Sequence, residues 1–298
     1  MPTIQSNGIF IEYDTFGDSS FPPLLLIMGF SGQMILWDPE FCEKLAKQGL
    51  YVIRFDNRDV GLSSKIEDAM DYDFNELAAA ILQGRKVQAP YTLDDMAADA
   101  IGLMDSLGIN KAHVLGNSMG GMIAQIMAIK YPDRLYSLIS MSSTTGDPAI
   151  TAGISIDKDF QPISPTSVPH ERDANIEYMV NGMRDLAGKG FEFDEDYIRG
   201  VAMVLYDRCF YPKGAERQLL AIMVSGNRKP LLANIKIPTL VIHGDADPLV
   251  PVEGGMDTAR AIPGAQLLIV EGMGHDLPHE AWPQIIDAIF ELTKSVKE

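Results

Sequence analysis

Cysteine is nearly missing from these 298 residues: Cys42 and Cys209 allow at most one bridge, too few to staple a secreted scaffold. No histidine lies near either at a metal-ligating spacing, so both read as reduced thiols and no metal site is expected. Positive charge is also scarce. Lys and Arg number 24 against 41 Asp and Glu, a formal net charge of −17, and such a field repels phosphate backbones and anionic headgroups. Nucleic acid and membrane surfaces are therefore poor partners. No apolar run approaches the ~20 residues that span a bilayer, and the opening residues lack the basic start and apolar core of a signal peptide. The expectation is a soluble, cytoplasmic protein, with its oligomeric state left open. Gly (26) and Pro (18) are too few for a low-complexity chain, while 46% hydrophobic and 22% charged residues are ordinary globular values.

What is present is an alternation of strand and helix signals, the pattern of a mostly parallel sheet with helices on its faces. Ile9 to Tyr13 alternates as an early antiparallel strand would. Leu24-Leu25-Leu26-Ile27-Met28 and Tyr51-Val52-Ile53-Arg54-Phe55 are short buried-strand runs, and between them Asp38 and Pro39 open a helix that Gly49 closes. Thr92 and Asp95 form a capping box ahead of a helix reaching Leu107. A strand at Ala112–Leu115 runs directly into a helix, Met119–Lys130, that is apolar nearly all round and so reads as buried. Leu135–Met141 is the next strand. The alternation then stops between about Thr145 and Lys229, where a Pro/Ser-rich stretch and Met-rich helical segments follow, and it resumes with strands at Thr239–Ile242 and Gln266–Val270 and a closing amphipathic helix. The chain thus divides into a core, 1–144 with 230–298, and a helical cap, 145–229, inserted over the C-terminal strand edge.

Gly116-Asn117-Ser118-Met119-Gly120 has the G-x-S-x-G form, with its serine on the turn between a strand and a buried helix. A serine hydroxyl is a weak nucleophile at neutral pH and needs a base with a group that orients it. Of five histidines, His113 lies inside a strand, His170 in the Pro-rich start of the insertion, His243 at a strand end suited to a supporting role, and His279 at the start of the last helix. His275, in Gly272-Met273-Gly274-His275 after the last strand, is the expected base. Asp247, four residues beyond the strand's end at His243 and before Pro248, is the expected orienting acid. Asp245 is read as a local turn residue and Asp147 as the fallback. The backbone N–H groups of Met119 and of Phe30, in Met28-Gly29-Phe30-Ser31-Gly32, are the expected oxyanion donors. Met203, Tyr206 and Phe210 of the insertion are the expected substrate wall.

These segments, with Asp56-Asn57-Arg58-Asp59-Val60-Gly61-Leu62-Ser63 and His243-Gly244-Asp245-Ala246-Asp247-Pro248, resemble the α/β-hydrolase superfamily along essentially the whole chain. The overall look is similar to its esterase branch that includes the aclacinomycin methylesterase-like proteins, where Met-Gly also replaces the commoner His-Gly. The resemblance implies an α/β fold with a helical lid, no cofactor, and a small-molecule ester as partner, cleaved through an acyl-enzyme. The Gly116–Gly121 turn is equally similar to that of hydrolases cleaving carbon–carbon bonds in ring-fission products. That activity is the first alternative, and a non-catalytic ligand-binding member of the fold is the second. Epoxide hydrolases and haloalkane dehalogenases carry Asp where this chain has Ser118, whereas perhydrolases share the serine. Arg58 and Asp59 are read as a structural ion pair.

Overall fold

A computed structural model describes residues 2–67, 72–151 and 168–296. Eight strands, β1 (Thr3–Ser6), β2 (Ile9–Phe16), β3 (Pro23–Ile27), β4 (Tyr51–Phe55), β5 (Ala112–Asn117), β6 (Leu135–Met141), β7 (Thr239–Gly244) and β8 (Gln266–Val270), form one sheet in the order 1-2-4-3-5-6-7-8. The β1–β2 and β2–β4 pairs are antiparallel; every later pair is parallel. Parallel pairing brings the loops after β3, β5, β7 and β8 to one edge. Ligands bind at that edge in open α/β sheets.

Each central strand is apolar on both faces because both are covered. Leu25, Ile27, Ile53 and Val114 face one core with the helices α3 (Leu93–Ser106) and α4 (Met119–Lys130). Leu24, Leu26, Val52 and Leu115 face the other with α1 (Pro39–Lys47) and α11 (Trp282–Ser295). The predicted caps form: the Asp38 carboxylate accepts the Glu40 N–H, and Thr92 and Asp95 make a reciprocal capping box. Burial of α4 nearly all round matches its composition. Two short elements have no counterpart in the sequence reading, β1 and α2 (Phe74–Leu82), and of α2 only Ala80 is buried.

Residues 152–167, the Pro/Ser-rich part of the insertion, lie outside the described residues. Around them are α5 (Pro148–Thr151), α6 (Arg172–Leu186), α7 (Glu195–Arg208), α8 (Pro212–Ser225) and α9 (Lys229–Leu232), followed by α10 (Val252–Ala261) after β7. The α6 and α7 helices enclose a small core of their own, Ile176, Val180 and Ala202. In α8, by contrast, Ala221 joins the main core and Arg217 pairs with Asp59 at 2.8 Å. The stretch read as one insertion is therefore an outer helix pair followed by a helix seated on the core.

Candidate active site

Ser118 stands between β5 and α4 with φ 55° and ψ −118°, a backbone conformation that costs a non-glycine residue about 1–3 kcal/mol unless its surroundings enforce it. Three contacts do so. Its N–H donates to Met141 O (2.9 Å), and its carbonyl accepts from Met122 N (3.2 Å) and Ser143 Oγ (2.8 Å). The turn also closes without side chains: a Cβ on Gly116 would lie 2.0 Å from Gly120 O, and one on Gly120 would lie 2.1 Å from Ile27 O.

His275 follows β8 and reaches the serine. Its Nε2 lies 2.9 Å from Ser118 Oγ and its Nδ1 lies 2.7 Å from Asp247 Oδ2. With Nδ1 protonated toward the carboxylate, Nε2 is left to accept the hydroxyl proton. Asp247 is buried, and its other oxygen accepts the N–H groups of Leu249 (2.9 Å) and Val250 (2.8 Å). Burial alone would raise its pKa; the electrostatic interaction with His275 and the hydrogen bonds from His243, His275 and Val250 N outweigh it and hold the carboxyl at about 2. His243, fully buried, directs Nε2 to Val250 O at 2.8 Å and so braces the same turn.

The loop after β3 meets the serine from the opposite side. A Cβ on Gly29 would lie 3.1 Å from Ser118 Cβ, which puts the next residue, Phe30, beside the Ser118 turn. Among the described residues, neither the Phe30 N–H nor the Met119 N–H is taken by a protein acceptor. Met119 is the first residue of α4, where backbone donors have no partner inside the helix.

The other candidate residues fall as follows. Arg58 and Asp59 do not pair with each other: Arg58 forks onto Asp99 (2.6 and 2.7 Å) and Asp59 onto Arg217 (both contacts 2.8 Å). Asp59 sits in a turn at φ 68°, and each of the two side chains finds a buried partner distant in the chain. Asp245 is not confined to its own turn, because Oδ1 accepts Gly272 N at 2.6 Å across the two loops. Asp147 accepts from Lys229 at 3.0 Å rather than from His275. His113 is buried, 2.8 Å from Ser137 Oγ, and burial pushes its imidazole down to about 4. Tyr206 stacks on Phe210 with centroids 5.0 Å apart, and Tyr206 OH donates to His170 O. Their polar and ring partners are each other and His170, and Met203 on α7 is 41% exposed. His279 packs against the rings of Trp282 and Tyr197.

Residues 22–179 match the family described as alpha/beta hydrolase fold, more than half of the chain. The protein belongs to the α/β-hydrolase fold family. Residues 220–289 also match a family described as TAP-like protein. Over 99% of both chains it is 30% identical to rhodomycin D methylesterase DauP of Streptomyces sp. (strain C5), which bears out the resemblance to the methylesterase-like branch. It is also 30% identical to 2-hydroxymuconate semialdehyde hydrolase of Pseudomonas putida, over 67% of this chain and 66% of that one. Among solved structures, the enol-lactonase from Burkholderia xenovorans superposes with TM-score 0.74 at 20% identity, covering 99% of this chain and all of that one.

Sequence reasoning missed Gln33, Arg208 and Gln218, polar residues that hold these loops, and quoted Asp56 in a motif without giving it a role. The partners of Gln33, Arg208 and Gln218 lie in distant parts of the chain, and no local spacing announces them.

Proposed function

We propose that this α/β-hydrolase is a carboxylic ester hydrolase acting on small to medium molecules through an acyl-enzyme on Ser118. The observation that carries the reading is the unbroken path from Ser118 Oγ through His275 to Asp247, at 2.9 and 2.7 Å. Full-length similarity to a rhodomycin D methylesterase supports the ester class.

Ser118 Oγ attacks the ester carbonyl carbon while His275 Nε2 takes the hydroxyl proton. The carbonyl oxygen becomes an alkoxide held by the N–H groups of Phe30 and Met119, and Asp247 keeps the imidazolium oriented. Collapse expels the alcohol, which leaves with the proton from His275. Water then repeats the cycle: His275 removes its proton, the hydroxide adds to the acyl carbon, and Ser118 leaves with that proton as the acid is released. Residues 145–229 act as the cap in this reading, and Met203, Tyr206 and Phe210 meet the substrate's bulk. No helix among the described residues is long and apolar enough to cross a membrane, and the reading takes the protein to work in the cytoplasm.

The second reading, carbon–carbon cleavage of a ring-fission product, draws on the similarity to the semialdehyde hydrolase. One experiment addresses both. Ser118→Ala should fold, lose labelling by a fluorophosphonate and lower aryl-ester turnover by about 10⁴-fold or more. A folded variant keeping over about a tenth of wild-type activity, one decade being ~1.4 kcal/mol, would remove Ser118 from the role. A wild-type protein that takes no label revives the binding-module reading, and faster turnover of a dienone than of any ester moves the activity to the carbon–carbon class.

A further inference from the structure

We infer that Gln33 is a positioning residue for the oxyanion loop, keeping the Phe30 N–H on station by tying that loop to the C-terminal end of α7. The inference rests on the reading of Ser118 and Phe30 given above. The loop needs an outside restraint, because Ser31 sits at φ 52°, where a non-glycine backbone is strained. Gln33 is buried and spends its whole side-chain amide on that restraint. Nε2 donates to Leu205 O (2.7 Å) and Cys209 O (3.0 Å), and Oε1 accepts from Arg208 Nη1 (2.7 Å). Both acceptors belong to the end of α7: Leu205 O, which also takes the Cys209 N–H at 3.1 Å, and Cys209 O just past the last turn.

The contact continues into the loop itself. Arg208 Nη2 lies 2.7 Å from Asp56 Oδ2, and the fully buried Asp56 takes the N–H of Met34, the residue after Gln33, on Oδ1 at 2.8 Å. On the other flank Gln218 Oε1 accepts Ser31 N (2.8 Å), and Asn57 Nδ2 donates to Met28 O (3.0 Å). Phe30 thus lies between anchored neighbours, and the anchor at Gln33 is the one supplied by the outer helix pair. That pair also touches the base. Leu186 O, at the end of α6, accepts His275 N at 2.8 Å, and α6 and α7 share the Ile176–Val180–Ala202 core. Nothing else in the α6–α7 unit is required for Gln33 to be a simple stability element, so the two roles separate by what they do to the transition state. A loop displaced by a fraction of an ångström misaligns a donor that matters only once charge develops on the carbonyl oxygen.

The test uses the whole protein with Gln33→Met, which keeps the volume and removes all three bonds, and Gln33→Glu, which keeps an acceptor for Arg208 and removes both donors. With p-nitrophenyl acetate, both should lower kcat by about 10- to 100-fold, somewhat below the loss of a full oxyanion donor, while KM stays within about threefold. Inhibition by a phenylboronic acid, whose tetrahedral adduct uses the same donors, should weaken by a similar factor. The pH midpoint of kcat/KM should not move, because the His275–Asp247 pair is untouched. Unchanged kcat in a folded variant whose wild type is labelled by the fluorophosphonate overturns this inference alone. Loss carried by KM, or failure of both variants to fold, also overturns it. A wild type that takes no label takes the reading of Ser118 down, and the inference with it.

Discussion

Asp245 and Asp247 stand two residues apart after β7, yet one carboxylate turns to His275 and the other to the Gly272 backbone. Asparagine separates their roles, because its amide can still accept a backbone N–H but presents the wrong group to an imidazole N–H. Asp247→Asn should therefore cost about 10⁴-fold in kcat with the fold intact, while Asp245→Asn should cost less than about tenfold in the same ester assay. Reversed losses would make Asp245 the orienting acid. A second residue-level expectation concerns pH. His113 has a folded-state pKa of about 4 against 6.5 for an ordinary imidazole, so its neutral burial adds stability that is complete above about pH 6.5 and drains away as pH falls to about 4. At 1.36 kcal/mol per unit, the loss is about 3 kcal/mol. His113→Asn cannot titrate. In urea unfolding, the wild type's advantage over that variant should shrink by about 3 kcal/mol between about pH 7 and about pH 4. A constant gap would mean that the buried ring titrates normally.

At the level of elements, the Ser118 turn depends on how closely α4 approaches β3, and glycine sets that distance. A Cβ on Gly120 would lie 2.1 Å from Ile27 O and 2.9 Å from Met28 O, both backbone atoms that cannot swing aside. Gly120→Ala should therefore destabilise by more than the about 1–3 kcal/mol of ordinary overpacking. Gly182, in the middle of α6, has nothing within 4 Å of an added Cβ, so Gly182→Ala should instead stabilise by about 0.5–1 kcal/mol through helix propensity. Thermal melts of the two variants check the contrast, and equal shifts would show that close packing at the turn is not limiting. Elements of this kind were legible because their chemistry is local. The Asp38 and Thr92 caps, the all-apolar α4 and the serine turn each carry their signal within a few residues. By contrast, β1 is four residues long with one buried side chain, and α2 buries only Ala80, so neither leaves a periodic stripe to detect. The partners of Arg58 and Asp59, 41 and 158 residues away, are products of the fold and could not be read from spacing. The same applies to Gln33, whose function in the loop exists only once α7 is in place.

For the whole molecule, the quantity readable at the outset was the charge, −17 over 298 residues. A net charge of that sign acts on a charged substrate before any contact forms. Cations are concentrated near the surface and anions depleted, by an amount that depends on screening: the Debye length is about 10 Å at 0.1 M salt and about 3 Å at 1 M. Ser118, His275 and Asp247 carry nothing that tells a charged alcohol from a neutral one of the same shape, so a charge preference would report the field. A choline ester and its uncharged 3,3-dimethylbutyl isostere make that comparison. Lowering the ionic strength from about 0.5 M to about 0.02 M should raise the cationic ester's kcat/KM relative to the neutral one by about 2- to 10-fold. The neutral ester serves as the internal control for any effect of salt on the fold or the cap. A ratio that does not change with salt would mean that the acidic surface leaves no net potential at the site, and that the negative charge acts on solubility alone.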